Sequence, residues 1–194
     1  EFHQIYHKLH HFCSLDLGSF YLDIIKDRQY TTKADSLPRR SAQTALYHIV
    51  QALVRWVAPI LSFTAHEIWQ VLPKTSAESV FLTEWYDGLA TLPENQGQSM
   101  LSRDYWQQVM AVKTAVNKEI EEARNRKEVG SGLSAEVTLY AAPELKTLLA
   151  ELGDELRFVL ITSAATLLDE SSEGQATDVV GLRVKVTAST LIKC

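Results

Sequence analysis

The residues best suited to chemistry are basic side chains gathered in one short stretch of the chain. Lysines and arginines recur there with few carboxylates between them: Lys26, Arg28, Lys33, Arg39 and Arg40, against Asp27 and Asp35. In a chain with a formal net charge of -5, this cluster is the best candidate for contacting RNA phosphates. Arg55 extends it along the next helical pattern, and Tyr30 adds a ring that could stack on an unpaired base. A solvated helix face gives the same pattern, so both interpretations stay open.

Arg28 differs from its neighbours because it projects from the apolar side of its helix. In the stretch FYLDIIKDRQY, residues 20–30, the apolar side chains cover one broad face and Arg28 falls near its middle. A guanidinium stays charged, so it must meet a carboxylate, carbonyl oxygens or solvent. One interpretation is a structural ion pair or a helix cap; the other is contact with an RNA phosphate or base edge.

Other chemistry finds little support in the sequence. His3, His7 and His11 have helical spacing that permits two metal ligands, but a chance run of histidines is the favoured interpretation. The sequence has no Ser–His–Asp context, glycine-rich phosphate loop or paired-cysteine motif. Two cysteines fit a reducing cytoplasm, and no apolar run approaches the roughly 20 residues of a membrane span. We therefore expect no catalytic site and no membrane partner.

The helices predicted from the sequence would hold the basic residues in place. Gly18 interrupts the first pattern, and Ser19 is a candidate N-cap for a helix over Phe20–Tyr30. A strongly amphipathic helix is predicted over Ser36–Ala58, with Pro38 in its first turn. Its polar side carries Arg40, Gln51 and Arg55 among others.

The second half of the chain has a different pattern. Residues 87–100 are rich in Gly, Pro, Asn and Gln and resemble a linker, after which Ser102 caps a long charged helix. Alternation at Val137 and Leu139 and again over 181–188 predicts strands, with a helix over 143–152 between them. The prediction is a mainly α fold: a helical bundle over 1–90, a linker over 91–101, and a long helix with a small α+β domain over 102–194.

Three stretches, in this order, are similar to bacterial-type isoleucyl-tRNA synthetases: HHFCSLDLGSFYLDIIKDRQYTT, RRSAQTALYHIVQALVRWVAPILSFTAHEIW and LGDELRFVLITSAAT. The resemblance implies the helical-bundle anticodon-binding domain of class I aminoacyl-tRNA synthetases, followed by a C-terminal domain that helps to read the anticodon. It implies a monomer in the cytoplasm whose partner is the anticodon stem-loop of an isoleucine-accepting tRNA. The parent would be an isoleucine–tRNA ligase, which attaches isoleucine to its tRNA with ATP.

The family's ATP signatures and editing domain are not matched, so we expect a truncated, non-catalytic piece without a cofactor of its own. The resemblance implies ATP, Mg²⁺ and zinc for the parent. Lys193-Cys194 resembles the start of the family's zinc-binding tail, with Cys194 as the first ligand. One thiolate is left where a tetrahedral zinc needs about four ligands, so we expect no zinc in this chain.

Three alternatives remain at this stage. The first is the same module of a valyl- or leucyl-tRNA synthetase, which share the bundle plan. The second is a helical protein-interaction domain, whose cue would be large apolar residues on the outward side of the Ser36–Ala58 helix. That side is instead polar and basic. The third, a stand-alone enzyme, has no site to support it.

Overall fold

The computed structural model of the protein describes residues 1–73, 77–92, 100 and 102–190. These residues are mainly helical, with one small sheet near the C-terminal end, as the sequence predicts. They divide into two compact units, one formed by Ile25–Thr91 and the other by Glu1–Ile24 together with Leu92–Cys194. Among the described helices, none combines the length and apolar character that crossing a lipid bilayer requires.

The chain begins with helices that run together without the expected break. Helix α1 (Phe2–His11) continues into a π-helix over Phe12–Tyr21 and then into α2 (Leu22–Ile24). The predicted interruption at Gly18 is wrong, because a π-helix accommodates it. A Cβ at Gly18 would lie 3.0 Å from the carbonyl oxygen of Cys13, so glycine fits this turn. Ser19 is no N-cap either, since its hydroxyl donates to the carbonyl of Ser14 at 2.9 Å.

The unit formed by Ile25–Thr91 carries the basic cluster. Its helices are α3 (Lys26–Tyr30), α4 (Leu37–Val57) and α5 (Ser62–Val71), and a 3₁₀ turn follows at Val80–Leu82. The predicted Phe20–Tyr30 helix is interrupted at Ile25, which has φ −96° and ψ 0° and is buried. Helix α4 occupies the predicted range apart from its two end residues. Its end is followed by Pro59, which cannot supply the N–H that a continuing helix needs.

A small apolar core holds the helices of this unit together. It consists of Val54, Ala58, Ala65, Trp69 and Val80. The indole N–H of Trp69 donates to the carbonyl of Ala77 at 2.9 Å, so the one polar atom of this buried ring is satisfied. The segment after α5 is thereby fixed against α5.

The other unit is built on a long helix and a sheet. The side chain of Ser102 accepts from the N–H of Tyr105 at 3.1 Å, which confirms the predicted cap of α6 (Arg103–Asn125). After a 3₁₀ turn at Gly132–Ser134, the elements are β1 (Ala135–Ala141), α7 (Pro143–Ala150), a 3₁₀ turn (Gly153–Glu155), α8 (Leu156–Leu160), β2 (Ala164–Asp169), β3 (Gln175–Ala176) and β4 (Leu182–Ala188).

The sheet has the strand order β2-β1-β4-β3. Strand β1 is parallel to β2, with Leu139 opposite Leu167, and antiparallel to β4, with Leu139 opposite Val184. Alternate residues of β1 and β4 point into a core that they share with α6, α7 and α8. Its largest fully buried members are Tyr105, Leu139, Leu148, Leu149 and Leu160.

Residues 1–24 group with the C-terminal unit, whereas the sequence-based division assigned them to a domain over 1–90. Phe20 packs against the core of α6 and the sheet, and the ammonium of Lys113 lies 5.4 Å from its ring centroid. The contact of Phe20 with α6 lies within the C-terminal unit and is consistent with residues 1–24 belonging to that unit. The boundaries 1–90, 91–101 and 102–194 stay a prediction about folding domains.

Candidate nucleic-acid interface

The basic residues lie on the turn that joins α3 to α4. We call residues 26–40 the basic turn. Threonine hydroxyls close the end of α3, since Thr31 donates to the carbonyl of Asp27 at 2.7 Å and Thr32 to that of Arg28 at 2.6 Å. Arg39 then ties the two helices together, because its Nη1 donates to the carbonyl of Thr32 at 3.1 Å. The sequence cluster is thus one compact feature in space.

The first turn of helix α4 has neither a side-chain cap nor an acidic residue, so an anion can bind there. Ser36 is the N-cap residue, with φ −66° and ψ 145°, but its side chain makes no capping hydrogen bond. No acidic residue lies in the first turn, where Arg39 and Arg40 stand instead. A helix N-terminus carries a partial positive charge, and the arginines add to it. The chemistry of this end suits a phosphate.

Three buried polar atoms of the basic turn have no hydrogen-bond partner: Nε2 of Gln29, Oγ of Ser36 and Nε of Arg39. Two of them, the nitrogens of Gln29 and Arg39, are pure donors that no described residue satisfies. Sequence reasoning missed Gln29 and Ser36 as members of this site. The signal available for Ser36 was its N-cap position, but nothing in the sequence shows that the cap bond is not made.

The predicted site residues differ in how far they are available to a ligand. Lys33 and Arg40 are exposed and make no ion pair within the described part of the chain. Tyr30 is also exposed, at 84%. Lys26 and Arg28 both interact with other residues of the chain, and Arg28 is half-buried. The burial of Arg28 favours its structural interpretation over a direct RNA contact.

Arg55 lies away from the basic turn and has partners of its own. It is about 22 Å from Arg40 along α4, by the helical rise of about 1.5 Å per residue. Its Nε donates to the carbonyl of Glu84 at 2.9 Å, and its Nη1 donates to the carbonyl and side-chain oxygens of Gln51 at 2.7 and 2.8 Å. The rings of Trp69 and Tyr86 lie 4.8 and 5.5 Å from its guanidinium. The geometry brings Arg55 together with aromatic rings, and not with the predicted phosphate track.

A metal centre finds no support in the geometry. Among residues 1–73, 77–92, 100 and 102–190, no three His, Cys, Asp or Glu side chains are grouped to hold an ion. The predicted first zinc ligand, Cys194, lies outside these residues.

Comparison with known proteins adds to this geometry. The family model described as the anticodon-binding domain of tRNA ligase matches residues 1–139, which include the whole basic turn. An isoleucine–tRNA ligase from Pseudomonas aeruginosa (strain LESB58) is 59% identical over 196 residues, covering 100% of this chain and 20% of that protein. One from Methylococcus capsulatus is 56% identical over 197 residues, covering 100% of this chain and 21% of that protein. The chain thus spans about a fifth of the length of the curated relatives it matches.

Proposed function

Because the chain belongs to the anticodon-binding domain family of tRNA ligases, we propose that it recognises the anticodon stem and loop of an isoleucine-accepting tRNA. It would act as a monomeric, cytoplasmic module of an isoleucine–tRNA ligase. The parent reaction is ATP-dependent attachment of isoleucine, with Mg²⁺ and zinc as parent cofactors. The relatives reported above are named isoleucine–tRNA ligases, which favours this module over one from a valyl or leucyl enzyme.

The observation that carries the proposal is the basic turn at the start of α4. Exposed Lys33 and Arg40 supply unpaired positive charge, and the helix N-terminus adds a partial charge of the same sign. Phosphate contacts of this kind position an RNA without reading its sequence. Tyr30, exposed at the end of α3, offers a ring on which a splayed anticodon base can stack.

Arg39 and Arg40 have different roles in this proposal. Arg39 holds the turn through the carbonyl of Thr32, whereas the guanidinium of Arg40 has no partner within the described residues. We assign Arg40 and Lys33 to phosphate contact and Arg39, whose Nε is buried, to shaping the turn. Lys26 and Arg28 interact with other residues of the chain, and we leave them, together with Arg55, outside the phosphate-contacting set.

The test is a titration of the chain with isoleucine tRNA and with a noncognate tRNA at two salt concentrations. Binding is monitored by fluorescence anisotropy. Losing one phosphate contact lowers the slope of log K against log salt by about 0.7–0.9. Arg40→Ala should therefore weaken binding and flatten the slope by about that amount. Arg157→Ala removes an exposed arginine that stacks on Phe158, outside the turn, and should leave both quantities unchanged. Unchanged affinity and slope for Arg40→Ala would refute the assignment.

A further inference from the structure

A small cavity lies in the C-terminal unit, between the last two turns of α6 and the edge of the sheet. Its volume is about 100 Å³. This is enough for about three water molecules at about 30 Å³ each, or for one small organic group. The cavity lies within the unit formed by Glu1–Ile24 and Leu92–Cys194. The lining residues that bear on its chemistry are Glu119, Arg126, Gln175, Val184, Lys185 and Val186.

Glu119 supplies a carboxylate to this cavity. The residue is 6% exposed, yet its side chain makes no hydrogen bond or ion pair with any residue that the structure describes. Its oxygens are not among the fully enclosed polar atoms that lack a partner, so they open onto the cavity that Glu119 lines. Burying a charge is costly unless a counter-charge or hydrogen-bond donors meet it. The cavity therefore contains an acceptor that the described residues leave unsatisfied.

The two cations that line the cavity are paired with carboxylates other than Glu119. Arg126 donates from Nε and Nη2 to the two oxygens of Glu128, at 2.9 and 3.0 Å. Lys185 donates from Nζ to the carboxylate of Glu173 at 3.5 Å. Each of these positive charges thus has its own counter-charge, and the carboxylate of Glu119 is the charge that remains.

The pKa of Glu119 agrees with this distribution of charge. Burial raises the pKa of the Glu119 carboxyl above its ordinary value, and the carboxylates of Glu122 and Asp178 add to the effect. Lys118 and Arg126 act in the opposite direction, but the pKa stays raised. A carboxylate that its neighbours compensated would have a lowered pKa. Another cation within the cavity would supply the missing compensation.

Strand β4 supplies an apolar wall and a second acceptor. Val184 and Val186 pack with the core that β4 shares with α6. Within the described residues, β3 pairs only with Arg183 and Val184, so β4 lies on an open edge of the sheet beyond Val184. The N–H of Thr177 donates to the carbonyl of Leu182 on this edge, and alternate residues of a strand direct their carbonyls to the same side. The carbonyl of Val186 therefore faces the open edge.

We propose that this cavity binds a primary alkylammonium ion, whose ammonium donates to the carboxylate of Glu119 and to the carbonyl of Val186 while its alkyl chain packs on Val184. An ammonium group carries one positive charge and three N–H donors, so it satisfies both acceptors and keeps one donor for solvent. A divalent metal ion fits less well, because Mg²⁺ or Ca²⁺ takes about six oxygen ligands and the cavity offers a single carboxylate. The site lies outside the basic turn, and the proposal does not depend on tRNA binding.

The experiment titrates the isotope-labelled chain with n-butylammonium chloride in potassium chloride buffer and follows it by NMR. The backbone amide resonances of 174–176 and 184–186 should shift with a Kd of about 1 mM, which five non-hydrogen atoms can reach. The carboxyl resonance of Glu119 is followed against pH in the same samples. Because the ammonium binds the ionised carboxylate, saturation should lower the pKa of Glu119 by about 1. This second measurement uses the unsubstituted chain, so it does not depend on the folding of a variant.

Matched variants and ligands test each part of the site. Glu119→Gln keeps the shape of the side chain and removes its charge, and it should weaken binding at least about tenfold. Glu121→Gln, on the exposed side of the same helix, should leave the Kd unchanged. n-Butanol lacks the charge and tetramethylammonium lacks N–H donors, so neither should produce the shifts.

Four results would overturn the inference. The first is the absence of a saturable shift below about 20 mM butylammonium, which is far weaker than the Kd expected for a ligand of this size. The second is equal affinity for Glu119→Gln and the unsubstituted chain. The third is binding of n-butanol or tetramethylammonium as tight as that of butylammonium. The fourth is a pKa of Glu119 that saturation leaves unchanged.

Discussion

Lys113 offers a quantitative test of how the C-terminal unit is held together. Its side chain is 6% exposed on α6, and its Nζ donates to the carbonyl of Val159 at 3.0 Å. Burial lowers the pKa of Lys113, and the carboxylate of Asp23 raises it back in part. The ammonium thus links residues 1–24 to α6 and α8 at the cost of its own hydration.

The sign of the pH effect follows from this lowered pKa. The unfolded chain titrates Lys113 near its ordinary value of 10.5, and the folded chain at a lower pH. Between these two values the unfolded state binds more protons, so the free energy of unfolding rises with pH, by at most about 1.4 kcal/mol per pH unit. Below both values the folded state bears the full cost of burying the charge.

Lys113→Met keeps the length of the side chain and removes the titrating group. It loses a hydrogen bond from a charged donor, about 1.5–3 kcal/mol, and relieves a desolvation cost of similar size. We therefore expect the variant to lie within about 1 kcal/mol of the wild type at neutral pH. As the pH rises, the wild type gains stability and the variant does not, so the difference between them widens.

Trp106 provides the assay, since the other tryptophans belong to the unit formed by Ile25–Thr91. Its 5-fluorotryptophan resonance, followed through urea unfolding from about pH 7 to about pH 10, near the ordinary lysine value of 10.5, reports the C-terminal unit alone. Higher pH is avoided because burial raises the pKa of Tyr105 to about 12. Above pH 10 this tyrosine makes the free energy of unfolding fall with pH, which opposes the rise due to Lys113.

Lys118→Met on the same helix is the control. Its ammonium pairs with Asp178 at 3.0 Å on the exposed surface, and such pairs contribute little to stability. It should keep the wild-type rise of stability with pH. Parallel pH profiles for the wild type and Lys113→Met would refute the desolvation argument. A loss above about 3 kcal/mol at neutral pH would show that the buried ammonium is a net stabilising group.

Two further predictions test the site and the fold. Tyr30→Ala should weaken tRNA binding by about 1–3 kcal/mol, while Tyr30→Phe retains affinity, because stacking needs the ring and not the hydroxyl. If Tyr30→Ala binds as tightly as the wild type in the anisotropy titration, no base stacks on Tyr30. Gly181→Ala should destabilise the C-terminal unit by about 1–3 kcal/mol in the Trp106 assay, because Gly181 has φ +74° and an added Cβ would lie 2.7 Å from that of Ala142. An unchanged urea midpoint would show that the turn relaxes without strain.

Helix α4 shows how far periodicity alone can predict this structure. Its range follows from apolar residues that recur at three- and four-residue steps, and Ala42 of that series is buried, whereas Val54 is buried although it lies outside the series. The same pattern placed Gln51 on the polar side, yet Gln51 is 3% exposed. The reason is tertiary, because its side-chain oxygen accepts from Arg55, which is itself held by Glu84 far along the chain. No window of sequence contains that contact.

The start of the chain and the sheet show two other limits. A π-helix shifts the hydrogen-bond partner by one residue, so the 3.6-residue period gives no sign of Phe12–Tyr21, and Gly18 was interpreted as a break. Strand β2 was missed because its burial lacks a clear alternation over Ala164–Asp169. Its position depends on parallel pairing with β1 after a helical crossover, which is a property of the fold and not of the segment.

The two neighbouring arginines of the basic turn show why composition found the site but could not assign roles within it. Successive residues of a helix are rotated by about 100°, so Arg39 and Arg40 cannot share an environment. The helix phase is set by the turn, in which Arg39 donates to Thr32 and becomes half-buried while Arg40 stays exposed. The bond that orients Arg39 inward therefore also fixes the outward direction of Arg40. A loss of Arg39 should then reduce RNA binding indirectly, through the disordered presentation of Arg40, whereas a loss of Arg40 removes the phosphate contact itself.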